Sequence, residues 1–191
     1  LLAEGARVVT CGRRPAPEVG EADHVIADLA SAGEPERAVA STLEALGGLD
    51  VLVNNVGLAR IARFEDVLDD EWDAYWQLNV MSYVRAIRAV VPSMRERRGG
   101  VIVNVSSTAG KRPSTSMPHY SVTKAAVLSL SRLVADLYAK DGIRCNAVTP
   151  GPTATDAWLG SGGLADQQGQ RTGKVRGDVL EAVGAGRPLG R

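Results

Sequence analysis

Tyr120 and Lys124 stand four residues apart at the start of an apolar-periodic stretch, a spacing that puts both side chains on one face of a helix, one turn apart. An ammonium beside a phenol favours the phenolate and draws a group that titrates near about 10 toward neutrality. A tyrosine so placed can act as general acid or base at physiological pH. Taken alone the pair is weak, since a solvated helix N-terminus carries such residues for no chemical reason. Its weight comes from the company it keeps. Gly12-Arg13-Arg14, Asn54-Asn55-Val56-Gly57, Ser106-Ser107 and Pro150-Gly151 each follow directly on a short apolar run.

Those runs are Ala6–Cys11, His24–Ala27, Leu49–Val53, Val101–Val105 and Ile143–Val148, all short, rich in Val and Ile, and apolar on successive residues, as strands buried on both faces are. Between them lie helical periodicities over Glu34–Leu46, Glu71–Arg98 and Ser121–Lys140. Strand and helix in regular alternation imply right-handed crossovers and a parallel sheet covered on both sides. The expected fold class is therefore α/β, a doubly wound parallel sheet of Rossmann type in three layers, whose ligands bind beyond the carboxyl ends of the strands. The unusual residues sit at those ends. Asp156–Gly177, rich in Gly, Asp and Gln, reads instead as a loop or short helices beside the site.

Length and charge narrow the partners. A chain of 191 residues suits a single domain over 1–191, with a variable substrate segment at about 156–187. Lys plus Arg equals Asp plus Glu at 22 each, which leaves no basic excess for nucleic acid or a membrane surface. The apolar stretches are too short for a membrane span, and the reading is a cytoplasmic protein. Cys11 and Cys145, without CxxC spacing or clustered His, are expected to be small core residues, with neither a disulfide nor a metal site. Leu1–Arg7 reads as the tail of a helix entering a strand, and Ala185–Arg191 stops on Pro and Gly, so the chain is expected to be a fragment clipped at both ends.

In this order and spacing, Asn54–Gly57, Asn79, Ser107, Tyr120-Ser121-Val122-Thr123-Lys124, and Pro150-Gly151 with Thr155 resemble the motifs of the short-chain dehydrogenases/reductases; the 13 residues from Ser107 to Tyr120 match that family's usual separation. The resemblance implies an oxidoreductase that moves a hydride between a nicotinamide dinucleotide and a ketone or secondary alcohol. Tyr120 would protonate or deprotonate the substrate oxygen and Ser107 would hold it. Lys124 would lower the tyrosine pKa and bind the nicotinamide ribose, and Asn79 would hold a water in a proton relay. Asn54, Val56 and Gly57 would pack against the adenosine half of the cofactor, with Val56 where the family usually has Ala. Asp28 would contact the adenine, and Pro150, Gly151 and Thr155 the nicotinamide carboxamide.

Charge argues the cofactor choice. The first strand exit, Thr10-Cys11-Gly12-Arg13-Arg14, offers no carboxylate for a ribose 2′-hydroxyl, whereas Arg13 suits a 2′-phosphate, so NADP(H) is favoured with NAD(H) possible. The family's Gly-rich phosphate turn is absent from the sequence, as is its late strand. The 191-residue chain is therefore expected to bind dinucleotide poorly, and the competing reading is a non-catalytic subunit or binding module. Apolar residues around much of the two long helices, which family members pair between subunits, point to a homodimer or homotetramer. Substrate choice would rest on Lys111–His119 and Asp156–Arg187, and His119 itself reads as a satisfied surface histidine.

Overall fold

The computed structural model describes residues 1–16, 20 and 22–186. In chain order the elements are β1 (Val9–Gly12), β2 (Asp23–Ile26), α1 (Glu34–Leu46), β3 (Val51–Asn54), α2 (Asp69–Trp76), α3 (Ser82–Glu96), β4 (Gly100–Val105), α4 (Thr108–Lys111), α5 (Pro118–Tyr138), β5 (Ile143–Val148), α6 (Asp156–Leu159), α7 (Leu164–Thr172) and α8 (Arg176–Ala185). All five expected strands form, and every pairing is parallel. They make two sheets, β1-β2 and β3-β4-β5.

The handedness of the crossovers explains where the helices lie. Going β3 to β4 to β5 steps one strand at a time in one direction, so right-handed connections drop α3 and α5 on the same face. There they meet α1 and bury one continuous core of Val39, Ile87, Val90, Met94, Ile102, Val134 and Ile143. Covering on both sides was expected of every strand, yet on the opposite face of the larger sheet Val51 and Val53 remain 46% and 48% exposed. The side-chain alternation of each strand sends Leu52, Ile102 and Cys145 toward the helices and their neighbours away from them. Cys11, expected in the core, is exposed, because β1 lies in the smaller sheet, which has no buried residue on either strand; Cys145 is buried, and both thiols are free.

Two helix boundaries differ from expectation for local reasons. The stretch read as one helix over Glu71–Arg98 begins at Asp69, ends at Glu96 and is interrupted by a π-helical turn at Gln77–Met81. Such turns cluster at functional sites, and this one carries Asn79. The helix expected from Ser121 starts three residues earlier, because Pro118 occupies its first position, where a fixed φ is already helical and no N–H is lost. The segment after Pro150 resolves into α6, α7 and α8. Residues 187–191, the end of the expected substrate segment and tail, lie outside the described residues.

Candidate active site

At the exit of β3 the chain turns under α2 and α3. Asn54 pairs in register with Asn104, and its amide donates to the Asn104 side chain at 2.9 Å; Asn104 in turn donates to Ser131 Oγ at 2.9 Å. Asn54 is thus spent on a buried chain of hydrogen bonds from sheet to helix. Four residues on, at Leu58, Asn79 grips the turn: its Oδ1 accepts from the Leu58 N–H at 2.8 Å, and its Nδ2 donates to the Leu58 carbonyl and to Thr123 Oγ1, both at 3.1 Å. Gly57 fits beneath this clasp because it lacks a side chain. A Cβ there would stand 3.2 Å from Asn79 Oδ1 and 3.4 Å from Lys124 Nζ.

The exits of β4 and β5 close the other side. Ser107 caps α4, its Oγ accepting from the Ala109 N–H at 3.1 Å, while Ser106 Oγ donates to the Lys124 carbonyl at 2.7 Å. The helix α4 presses onto α5 so closely that a Cβ on Gly110 would lie 2.7 Å from Lys124 backbone atoms. The Thr108 N–H donates to the Pro150 carbonyl at 2.9 Å, which draws Pro150-Gly151 alongside Ser107. Tyr120 and Lys124 share a face as their spacing requires, with the ammonium 5.8 Å from the Tyr120 ring centre. Lys124 is buried and donates to the Val105 carbonyl at 2.8 Å; burial lowers its pKa to about 8. Residues from three strand ends, the π-helical turn and α5 are therefore brought together: Asn54, Val56, Gly57, Asn79, Ser107, Tyr120, Lys124, Pro150 and Gly151.

Arg13, Asp28 and Thr155 stand apart. Arg13 and Asp28 follow β1 and β2 in the smaller sheet, both exposed, and no hydrogen bond among the described residues ties them to the cluster. Asp28 Oδ1 accepts from the Ala30 N–H at 3.2 Å, a local turn contact. Arg13 and Arg14 line an open recess of about 480 Å³ with Thr10, Cys11 and His24, whose ring bridges Thr10 Oγ1 and the Arg14 carbonyl, both at 2.8 Å. None of the residues gathered around Lys124 lines it. Thr155 is exposed and its backbone caps α6.

Tyr83 enters the site without being singled out by the sequence, and a second buried group lies beside it. Tyr83 is fully enclosed, its hydroxyl 3.0 Å from the Val56 carbonyl and 3.5 Å from Lys124 Nζ. His119, expected on the surface, is also fully buried. Its Nε2 lies 3.1 Å from Glu71 Oε1, its ring centre 3.8 Å from that of Tyr75, and its Nδ1 has no partner. Arg60 holds the same carboxylate through two donors, and Gln167 on α7 accepts from the Ile61 N–H at 3.0 Å. Periodicity within one segment carries no sign of these contacts, which span 11 to 106 residues of sequence. Among the described residues no helix is long and apolar enough to cross a membrane, and no cluster of His, Cys, Asp and Glu suits a metal ion.

Comparison with known proteins gives the same fold. The chain is 38% identical to an uncharacterized oxidoreductase of Bacillus subtilis over 165 residues, which are 82% of this chain and 62% of that protein, so it spans less than two thirds of that relative's length. It is 34% identical to the sorbitol dehydrogenase of Cereibacter sphaeroides over 98% of this chain and 75% of the relative. The L-sorbose reductase of Gluconobacter frateurii, solved with NADPH and L-sorbose, superimposes with a TM-score of 0.88 at 32% identity, covering 98% of this chain and 75% of that one. Residues 1–161 match the family described as short chain dehydrogenase. On this match and these relatives, the chain belongs to the short-chain dehydrogenase/reductase family and carries its Rossmann-type α/β fold.

Proposed function

We propose that this chain holds the reaction centre of an NADP(H)-dependent oxidoreductase acting on a ketone or secondary alcohol. The observation that carries the reading is the meeting of two strand exits and α5 on one buried ammonium: Gly57 after β3 lies below it, Tyr120 of α5 beside it, and Ser107 after β4 caps the helix pressed against its backbone. When bound, the dinucleotide supplies or accepts the hydride. Tyr120 gives its phenolic proton to the substrate oxygen in reduction and removes the hydroxyl proton in oxidation. Ser107 donates a hydrogen bond to the same oxygen as charge develops on it. Lys124 sets its positive charge 5.8 Å from the Tyr120 ring centre and offers its ammonium to ribose hydroxyls.

Gly57 fits the group, since any side chain there would fill the space beside Lys124. Arg13 and Arg14 around the recess after β1 fit a 2′-phosphate, and the absence of a carboxylate at that exit favours NADP(H) over NAD(H). Pro150, Gly151 and Thr155 would border the nicotinamide, and Asp28 the adenine. Asn79 holds the turn through its amide, with both Nδ2 hydrogens given to Leu58 and Thr123, and would take a relay water at the second lone pair of Oδ1. Half-exposed Val122, Leu133 and Leu137 on α5 support pairing of copies as a homodimer or homotetramer.

The test is a panel of ketones, secondary alcohols and polyols with NADPH and NADH; polyols belong in it because the sorbitol dehydrogenase match extends through the 156–186 segment. With the full-length protein, turnover is expected with NADPH and is abolished in Tyr120→Phe, which leaves cofactor affinity unchanged. Full turnover by the Phe variant would remove the proposed acid. Because the sequence lacks the Gly-rich phosphate turn, the 191-residue chain alone is expected to bind NADPH weakly, and submicromolar affinity would contradict that.

A further inference from the structure

Tyr83 sits where α3 begins, completely enclosed, in a position that a phenylalanine would fill equally well. Its hydroxyl lies 3.0 Å from the Val56 carbonyl, 3.2 Å from the Val105 carbonyl and 3.5 Å from Lys124 Nζ. A phenol has one hydrogen to give and lone pairs to receive with. Val105 already accepts from Lys124 at 2.8 Å. The arrangement that satisfies every group has Tyr83 donating to Val56 while a second ammonium hydrogen points at the Tyr83 oxygen. The ammonium also lies 5.5 Å from the Tyr83 ring centre, within range of its π face.

The surroundings make this hydroxyl consequential. Lys124 is faced by Tyr83 from α3, by Tyr120 from its own helix, by Gly57 beneath the Asn79 amide and by the Val105 carbonyl, and burial is the sole cause displacing its titration. Among the described residues no carboxylate pairs with the ammonium. Burial also pushes the Tyr83 phenol well above its usual range, so it remains a neutral donor and acceptor wherever the protein is folded. A buried hydroxyl is unfavourable unless its hydrogen bonds are made, and here they run to the turn on one side and to the ammonium on the other.

We propose that Tyr83 is a positioning residue for Lys124, its hydroxyl tying the ammonium to the Val56–Gly57 turn so that turn and lysine are held as one unit. The proposal rests on the reading of Lys124 as part of the reaction centre, but its first test does not. Tyr83→Phe keeps the ring and removes only the link. In the whole protein, an NMR titration of the Lys124 side chain, with the resonance assigned through Lys124→Arg, should show the midpoint lowered by about one pH unit in the Phe variant, as loss of a hydrogen bond to a charged group predicts. An unchanged midpoint overturns the proposal. Stability gives an independent check that does not need NMR. Tyr83→Phe should cost less in a Lys124→Met background than in the native one, and strictly additive effects would also overturn it. Where turnover is measurable, the alkaline limb of kcat/KM should move to lower pH along with the Lys124 midpoint. A Lys124 titration that moves while that limb stays fixed would uphold the positioning and remove Lys124 from the chemistry.

Discussion

An ammonium taken out of water with only a carbonyl and a hydroxyl for company carries a cost that the folded state must bear. Lys124 is 3% exposed, and burial brings its pKa from 10.5 to about 8. Folded and unfolded chains are both protonated there at neutral pH, so the cost is fully present below about pH 8. Between about 8 and 10.5 the unfolded chain holds the proton that the folded one has released, so stability should rise with pH across that window. The displacement corresponds to roughly 3 kcal/mol. Lys124→Met, which removes the charge and keeps the volume, is accordingly expected to raise the urea-unfolding free energy near neutral pH by about 1–3 kcal/mol. The same substitution should flatten the rise at alkaline pH. A Met variant that loses stability would show that the ammonium is held more favourably than its burial implies.

One step up, the elements around Tyr120 are joined by a network that no single segment announces. Arg60 from the loop after β3, Glu71 from α2 and His119 from the first turn of α5 lie in line, with Tyr75 and Trp72 packed on the imidazole. Since Nε2 faces a carboxylate and Nδ1 has no partner, the fitting form is neutral, with the hydrogen on Nε2. Burial lowers the His119 pKa from 6.5 against the pull of Glu71, and Arg60 holds the Glu71 carboxyl below its usual range. The unfolded chain therefore takes up a proton at His119 first, and stability should fall as pH drops through about 6.5. A further fall should come below 4.5 as Glu71 is protonated. His119→Gln, whose amide can donate to Glu71, is expected to remove the first step at little cost. His119→Leu should remove it too while losing roughly 1.5–3 kcal/mol from the missing bond to a charged group. Denaturation midpoints followed across this pH range decide the matter, and an unaltered first step in both variants would assign it to another group.

Across the whole molecule, what the sequence disclosed and what it withheld divide along the core. The Val- and Ile-rich runs and the Tyr120–Lys124 spacing were legible because each depends on residues near one another in sequence or repeated with a strand or helix period. His119, Tyr83 and the exposed Cys11 were not, because burial at these places is decided by which elements cover which face. That same distribution predicts how the chain opens. Ile102, Ile143, Val90 and Met94 on β4, β5 and α3 are buried to within 1% of complete, whereas no residue of β1 or β2 is buried. The smaller sheet is held chiefly by its own pairing, by α1 and by single tethers such as Arg37 to the Ile26 carbonyl at 2.6 Å. A two-stranded sheet with so little apolar cover is marginal by itself, and local opening free energies track such cover. Hydrogen exchange followed by mass spectrometry should therefore show amides of Val9–Gly12 and Asp23–Ile26 exchanging through openings at least about 2 kcal/mol below those that expose Gly100–Val105 and Ile143–Val148. Added urea should accelerate exchange in the larger sheet more steeply, since its opening exposes more surface. Equal protection in both sheets, with equal urea dependence, would mean that they unfold as one cooperative unit and that the small sheet is held by more than the contacts named here.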